Sequence, residues 1–397
     1  MPHQVAATKI CMSQRATLVA FEPGVGKSQV AISCLNPTKK NIIVCPASLV
    51  ANWKKELELW NCKLSNVEIK SYNSINWLDE CDTLILDEAH LVKNPQANRT
   101  INVSYVAKQA KRIIALTATP ILNRYQELID IMNLMDISKQ ISSNIDNLTK
   151  ANLLLRVKLQ DVIELPEPKF QESQIELSDT QEIIDIQEEI NSLYEECDND
   201  FDKMWDNYSM ILVGQLSKIR RHVGISKIGE AIKQVNEQLQ EEPDEPIIIF
   251  GHHKLVLEAL AETFNAPLLY GGTSLKKRNE YVEEFQAGKH KVIVCSIQAA
   301  GVGLTLTKAR KVFFVEMPWT NAEYEQAYGR SYRKGQARQV IVTNLISSHQ
   351  IDQRHLEILA TKKKLCSALD DKRENNSVKK TLVKALLSPQ TENDATA

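Results

Sequence analysis

The chain has 397 residues, 43% hydrophobic and 25% charged, with 48 basic and 50 acidic side chains and a net charge of −2. That length suits two or three domains, and the composition excludes collagen-like and low-complexity chains. No apolar run approaches the ~18 residues of a membrane span, and 13 glycines are about half the usual ~7% share, so each glycine is expected where only glycine serves.

In chain order, short β-rich runs occur at 16–21 (ATLVAF), 41–46 (NIIVCP), 83–88 (TLILDE) and 112–118 (RIIALTA), with helical patterns between them such as Ser48 to Trp60. A mostly helical stretch follows, broken by prolines at ELPEPK (164–169). Strand-like runs resume at 246–252 (PIIIFGH), 291–296 (KVIVCS), 311–316 (KVFFVE) and 339–346 (QVIVTNLI). Buried runs of this length spaced by helices predict parallel strands in α/β domains.

Charge divides the chain the same way. Residues 1–136 carry 15 basic and 12 acidic side chains, 137–245 carry 11 and 23, and 246–397 carry 22 and 15. The near-zero total is therefore a cancellation and does not exclude a polyanionic partner. The predicted organisation is a first α/β lobe at 1–136, a helical acidic insertion or linker at 137–245, a second lobe at 246–370 and a flexible tail at 371–397. Segment 172–206, with 13 acidic residues and one lysine, reads as a solvated helical surface or mobile insertion, and as a possible protein-docking element.

The eight cysteines form no CxxC and the histidines add no metal-ligand spacing, so no zinc site is expected. Cys45 and Cys295 lie in strand-like runs and read as reduced, buried thiols. The start MPHQVAATK lacks a signal-peptide pattern. The expected compartment is cytoplasm or nucleoid for a bacterial or viral protein and nucleus for a eukaryotic one.

EPGVGKS (22–28) follows a strand and opens a helix. Gly24, Val25 and Gly26 would curl backbone amides around phosphate, with the helix N-terminus adding favourable charge. Lys27 would reach the β/γ-phosphates and Ser28 would coordinate Mg2+. Asp87-Glu88-Ala89-His90 ends the run TLIL, at the rim where open α/β sheets bind ligands. Asp87 is placed for the Mg2+ shell, and Glu88 to orient and deprotonate the attacking water.

These motifs, in this order, resemble the Swi/Snf-like DNA-dependent ATPases of helicase superfamily 2. The matching pieces are Gln4, FEPGVGKS, IIVCPASLVANWKKEL (42–57), LILDEAHLVKNPQANRT (84–100), LTATPILN (116–123), IIIFGHHK (247–254), YGGTSLKKRNEYVEEF (270–285), VIVCSIQAAGVGLTLTKA (292–309) and PWTNAEYEQAYGRSYRKGQ (318–336). They span nearly the whole chain. Departures from the family pattern are Pro23, Ser28, Ala118, Tyr332 and Lys334, none of which removes a catalytic group. LSKIRRHVGISKIGEAI (216–232) is similar to the annealing, fork-remodelling branch.

The resemblance implies two RecA-like P-loop lobes, parallel sheets flanked by helices, around the acidic insertion. It implies ATP and Mg2+ as cofactors. Gln4 would read adenine, and Gln326 would join the nucleotide contacts. Arg330 and Arg333 would act as arginine fingers, their i, i+3 spacing placing both on one helix face. His90, Thr117 and Thr119 would couple nucleotide state to movement. The implied partner is duplex or branched DNA held through phosphates, by a monomer, with no membrane. Candidate contacts are Ser48, Asn52 and Trp53, then Gly272, Thr273 and Ser274 before the basic residues Lys276, Lys277 and Arg278, and Thr305. Ser48 and Ser274 also suit helix caps, and Trp53 and Trp319 equally suit core packing. A strand-separating DNA or RNA helicase and a non-hydrolysing, nucleotide-switched scaffold are the rival readings.

Overall fold

The computed structural model describes residues 1–62, 65–92, 94–118, 125–136, 145–162, 164–177, 180–300, 304–357, 359, 382–384 and 386–387, the side chains of 125–127, 145–146 and 300 aside. The chain divides into two compact units, Met1–Leu165 with Arg333–Gly335, and Pro166–Tyr332 with Gln336–Ala397.

The first unit is built on β1 (Ala16–Phe21), β2 (Asn41–Cys45), β3 (Val67–Ser71), β4 (Thr83–Asp87), β5 (Arg112–Leu116) and β6 (Leu154–Val157). They form one parallel sheet in the order β3-β2-β4-β5-β1-β6. Every residue of β1 and β2 is buried, as continuous apolar runs in a sheet covered on both faces require. The second unit is built on β7 (Lys169–Ile175), β8 (Ile247–Gly251), β9 (Leu268–Leu269), β10 (Val292–Ser296), β11 (Lys311–Phe314) and β12 (Ile341–Ser347). They too form a parallel sheet, in the order β7-β12-β11-β8-β10-β9. The strands anticipated from apolar runs are present to within two residues at each end. The edge strands β3, β6, β7 and β9 were not anticipated, because β3 is half-buried, six of the seven β7 residues are not buried and β9 is two residues long.

The middle block at 137–245 is not a separate body. β6 belongs to the first sheet, while β7 pairs with β12 along seven residues of the second. The break falls at Leu165–Pro166 rather than at 136 and 245, within the proline-rich stretch that interrupts helix and strand alike. The acidic segment forms the helices Gln181–Glu196 and Phe201–Ser226. Ile183, Ile186 and Ile190 pack with Leu212, Leu216, Ile219 and Val223, while the acidic side chains face solvent. Asp200 caps the second helix, accepting from the Asp202 and Lys203 amides. Leu382, Val383 and Leu386, within the stretch expected to be a flexible tail, are buried in the same cluster. Their apolar i, i+1, i+4 spacing gives them a face to bury.

The long helix and its successor Ile228–Glu241 are tied down by buried charge. Arg220 donates to the Met317 carbonyl at 2.6 Å and lies 3.8 Å over the Trp319 ring. Lys227 donates to Asp352 Oδ2 at 2.7 Å and to the Leu345 carbonyl at 3.0 Å. His355 is fully buried beside these cations. Burial, and then the Arg220 and Lys227 charges, push its pKa from 6.5 down to about 3. An unfolded His355 takes up a proton below pH 6.5 and the folded one does not, so stability falls as pH drops from 6.5 towards 3. The slope is about 1.4 kcal/mol per pH unit. Unfolding measured at pH 7 and pH 5 in the wild type and in His355→Leu should show the pH-dependent loss reduced by about 2 kcal/mol in the variant.

Among the described residues, no helix is long and apolar enough to cross a membrane. Cys45 and Cys295 are buried free thiols, both pushed up to about 12 by burial.

Candidate nucleotide site and nucleic-acid contacts

The loop after β1 turns through two left-handed glycines, Gly24 at φ +85° and Gly26 at φ +93°. Residues with side chains rarely adopt this backbone, and alternation of such residues turns amides inward into a concave nest. Gly26 opens the helix Lys27–Ser33, with Ser28 half-buried in its first turn. Lys27 Nζ donates to the Phe21 carbonyl at 2.8 Å and the Glu22 carbonyl at 3.4 Å, so the ammonium folds back over the mouth of the loop.

The N-terminal helix Pro2–Ser13 packs on the helix that follows the loop. Gln4 is buried there and donates to the Val25 carbonyl at 3.3 Å, with His3 Nε2 3.1 Å from the same oxygen. A methyl group at Gly26 would run into the Gln4 amide. The glycine is thus required by its φ, and a side chain there would also displace the Gln4 amide from the Val25 carbonyl.

Asp87 ends β4, and Glu88 follows at φ +53°. A left-handed non-glycine costs on the order of 1–3 kcal/mol and persists only where its surroundings hold it. Here Tyr72 donates its hydroxyl to the Asp87 carbonyl at 2.8 Å, and the Glu88 amide donates to Asp87 Oδ1 at 3.0 Å. The Trp53 indole donates to Asp87 Oδ2 at 2.8 Å. Burial, then the Glu88 charge, lifts the Asp87 carboxyl to about 7, against the pull of the Trp53 N–H, the Lys27 ammonium and the Glu88 amide. Glu88 Oε2 lies 3.3 Å from His90 Nδ1, which is 3.5 Å from Thr117 Oγ1. Thr117, just beyond β5, donates its amide to the Val19 carbonyl of β1. Glu88, His90 and Thr117 therefore form one polar chain across the strand ends. Thr119 lies outside the described residues.

This arrangement suits a magnesium-bound nucleotide. The nest supplies inward amides, Lys27 is within electrostatic reach of Asp87, and a cation there would relieve a buried carboxyl beside a second acid. Ser28 and Asp87 are the oxygen ligands of the type Mg2+ takes. Among the described residues no group of three or more His, Cys, Asp or Glu could hold another metal.

In the second unit, Gln326 lies on the helix Asn321–Tyr328, opened by Thr320 with a capping box to Glu323. That helix stops at Tyr328; Arg330 follows in a turn, and Arg333, which belongs with the first unit, in a bend. The expectation of one shared helix face is therefore corrected. The buried Ser331, whose hydroxyl donates to the Ala309 carbonyl at 2.6 Å, and Gly335 at φ +103° commit the chain to turns. Arg330 is buried, and its carbonyl accepts from the Leu306 amide at 2.9 Å.

The expected nucleic-acid contacts fall in both units. Ser48 lies in the 3-10 turn Ala47–Leu49 rather than at a helix cap, and Asn52 on the helix Val50–Leu59; both are half-buried. Trp53 is 1% exposed. Its expected place on a nucleic-acid surface is thus corrected to a core position against Asp87. Gly272 and Ser274 are exposed and Thr273 half-buried, its hydroxyl accepting from the Tyr270 amide at 3.1 Å. Ser274 caps the helix Leu275–Gln286 through the Lys277 amide. Lys276 and Lys277 are exposed, but Arg278 is buried and donates to the Tyr270 carbonyl at 3.3 Å. Thr305 is exposed. Tyr72 was missed from sequence, since it follows an edge strand without an apolar run.

A parallel sheet with a glycine nest after one strand and an acidic pair after another defines a P-loop NTPase unit of the helicase type. The chain is similar to the Swi/Snf-like ATPases of helicase superfamily 2 in both of its units. The model of the SNF2-related domain matches residues 65–184, and that of the helicase conserved C-terminal domain matches 230–335. A SWI/SNF-related matrix-associated actin-dependent regulator of chromatin subfamily A-like protein 1 homolog from Caenorhabditis elegans is 26% identical, over 84% of this chain and 56% of its own. The DNA annealing helicase and endonuclease ZRANB3 of Bos taurus is 26% identical over 84% of this chain and 37% of its own. The uncharacterized ATP-dependent helicase MG018 of Mycoplasma genitalium is 26% identical over 94% and 40%. The chain thus spans roughly a third to just over half the length of these curated relatives. The solved Sulfolobus solfataricus SWI2/SNF2 ATPase core in complex with dsDNA matches 98% of this chain and 94% of its own, at 22% identity and a TM-score of 0.41.

Proposed function

We propose that the chain hydrolyses ATP and uses the cycle to move along double-stranded or branched DNA. The observation that carries this reading is the left-handed Gly24/Gly26 loop with Lys27 beside the Asp87-Glu88 pair. Ser28 and Asp87 would hold Mg2+, which neutralises developing phosphate charge when bound. Lys27 grips the phosphates, Glu88 takes a proton from the attacking water, and Gln4 with Gln326 completes the nucleotide contacts. Arg330 and Arg333 supply charge to the transferring phosphoryl group. Ser48, Asn52, Gly272, Thr273, Ser274 and Thr305 contact DNA phosphates, and such contacts position without reading sequence. The likeness of 216–232 to the annealing branch, with relatives named for annealing, supports placing it there.

Phosphate release measured against single-stranded, duplex and forked DNA and RNA tests the reading. Duplex or forked DNA should stimulate most. No nucleic-acid-stimulated release would overturn it in favour of a nucleotide-switched scaffold. Arg330→Ala should lower kcat about 10³-fold or more with nucleotide affinity nearly kept. Equal loss of both, read by binding and turnover assays together, would assign it to ground-state binding.

A further inference from the structure

We propose that Trp53 is the positioning residue through which DNA contact at the Ala47–Leu49 turn and Asn52 orients the Asp87 carboxylate for its metal; this rests on the ATPase reading above. Trp53 is the largest fully buried side chain among the described residues. A buried indole N–H needs an acceptor, and this one has Asp87 Oδ2 at 2.8 Å. The Glu88 amide takes Oδ1 and the Tyr72 hydroxyl takes the carbonyl. The carboxylate is thus held at both oxygens and at its backbone. Two of these anchors are local, in that they fix the β4 end to its own surroundings. The third comes from the helix Val50–Leu59, which continues directly from the turn carrying Ser48 and bears Asn52 as the neighbour of Trp53.

A phosphate drawn to Ser48 and Asn52 therefore acts on the helix whose next side chain sets the Asp87 plane. A short helix moves as a rod, so a shift at its first turn is transmitted to Trp53 and not absorbed. Outer partners that orient a metal ligand carry effects of about 10- to 100-fold on metal affinity. A purely structural tryptophan would instead affect stability and leave metal affinity alone.

The test is a Mn2+ titration by electron paramagnetic resonance, with Mn2+ in place of Mg2+ and a non-hydrolysable ATP analogue bound, with and without a short blunt DNA duplex. In the wild type, duplex should tighten Mn2+ binding. In Trp53→Phe, Mn2+ should bind about 10- to 100-fold more weakly, and the tightening by duplex should vanish while duplex affinity by anisotropy, measured without metal because the coupling is reciprocal, stays within twofold. Benzothienylalanine at position 53 keeps the ring size and replaces the N–H by sulfur, so it should reproduce the effect in a folded protein. Wild-type Mn2+ affinity and duplex response in that variant would overturn the proposal. Phosphate release by the wild type, run in parallel, separates the failures. Absence of stimulated release overturns both readings, whereas stimulated release with unmoved Mn2+ binding overturns this one alone.

Discussion

Glu88→Gln should bind ATP and hydrolyse it roughly 10²- to 10⁴-fold more slowly, the usual contribution of a positioned general base. The substitution keeps the size of the side chain at a left-handed backbone position held by the hydrogen bonds at Asp87. It removes the carboxylate that sits 3.3 Å from His90 and leaves the phosphate-binding loop untouched. Nucleotide affinity from equilibrium binding and kcat from phosphate release should therefore separate cleanly. Wild-type turnover in this variant would remove Glu88 from the role of base. Affinity and turnover falling together would mean that it contributes to holding the nucleotide rather than to the chemical step.

Lys227→Met should destabilise the second unit by about 3–5 kcal/mol, the cost of leaving one member of a buried ion pair alone. Both partners are almost wholly buried, and Asp352 Oδ2 accepts from Lys227 Nζ, the Ser347 amide and the Ser347 hydroxyl. Burial alone would push the Asp352 carboxyl up, but Lys227 and the Ser347 bonds hold it below the ordinary carboxylate range. A carboxyl depressed by folding contributes stability above its unfolded pKa and loses it as pH falls through the folded value. The pair is accordingly at full strength near neutrality. Lys227→Met with Asp352→Leu should recover most of the loss, because apolar replacement of both members is often near neutral. Urea unfolding of the three proteins at pH 7 checks this. A single variant as stable as the wild type would show that water reaches the site.

The arrangement of the candidate nucleotide site was legible in sequence because its residues lie close together in the chain. Gly24, Gly26, Lys27 and Ser28 are consecutive or nearly so, and Asp87 and Glu88 end an apolar run, so strand alternation alone put both at the C-terminal ends of strands. The sheet centres were legible for the same reason, through their continuous apolar composition. Edge strands were not, since β7 has the sequence KFQESQI and is mostly exposed. Nor were interactions that need the fold to exist. Trp53 and Asp87 are 34 residues apart, and Lys227 and Asp352 are 125 apart. No spacing announces such pairs. Arg330 and Arg333 show the opposite error, a regular spacing read as helix where the chain had already turned.

The helices at 181–226 bury an isoleucine stripe and present their carboxylates outward, so negative charge is concentrated on one appendage and not diluted over the surface. At 0.15 M salt its field decays over about 8 Å. A phosphodiester backbone feels it only at close range, as a fence around one site of approach and not as a general repulsion of the molecule. At 0.01 M salt the range grows to about 30 Å, and the fence would begin to reach the rest of the protein. The chain's electrostatics should therefore look like those of a nearly neutral body in cellular salt and of a strongly bipolar one in dilute buffer.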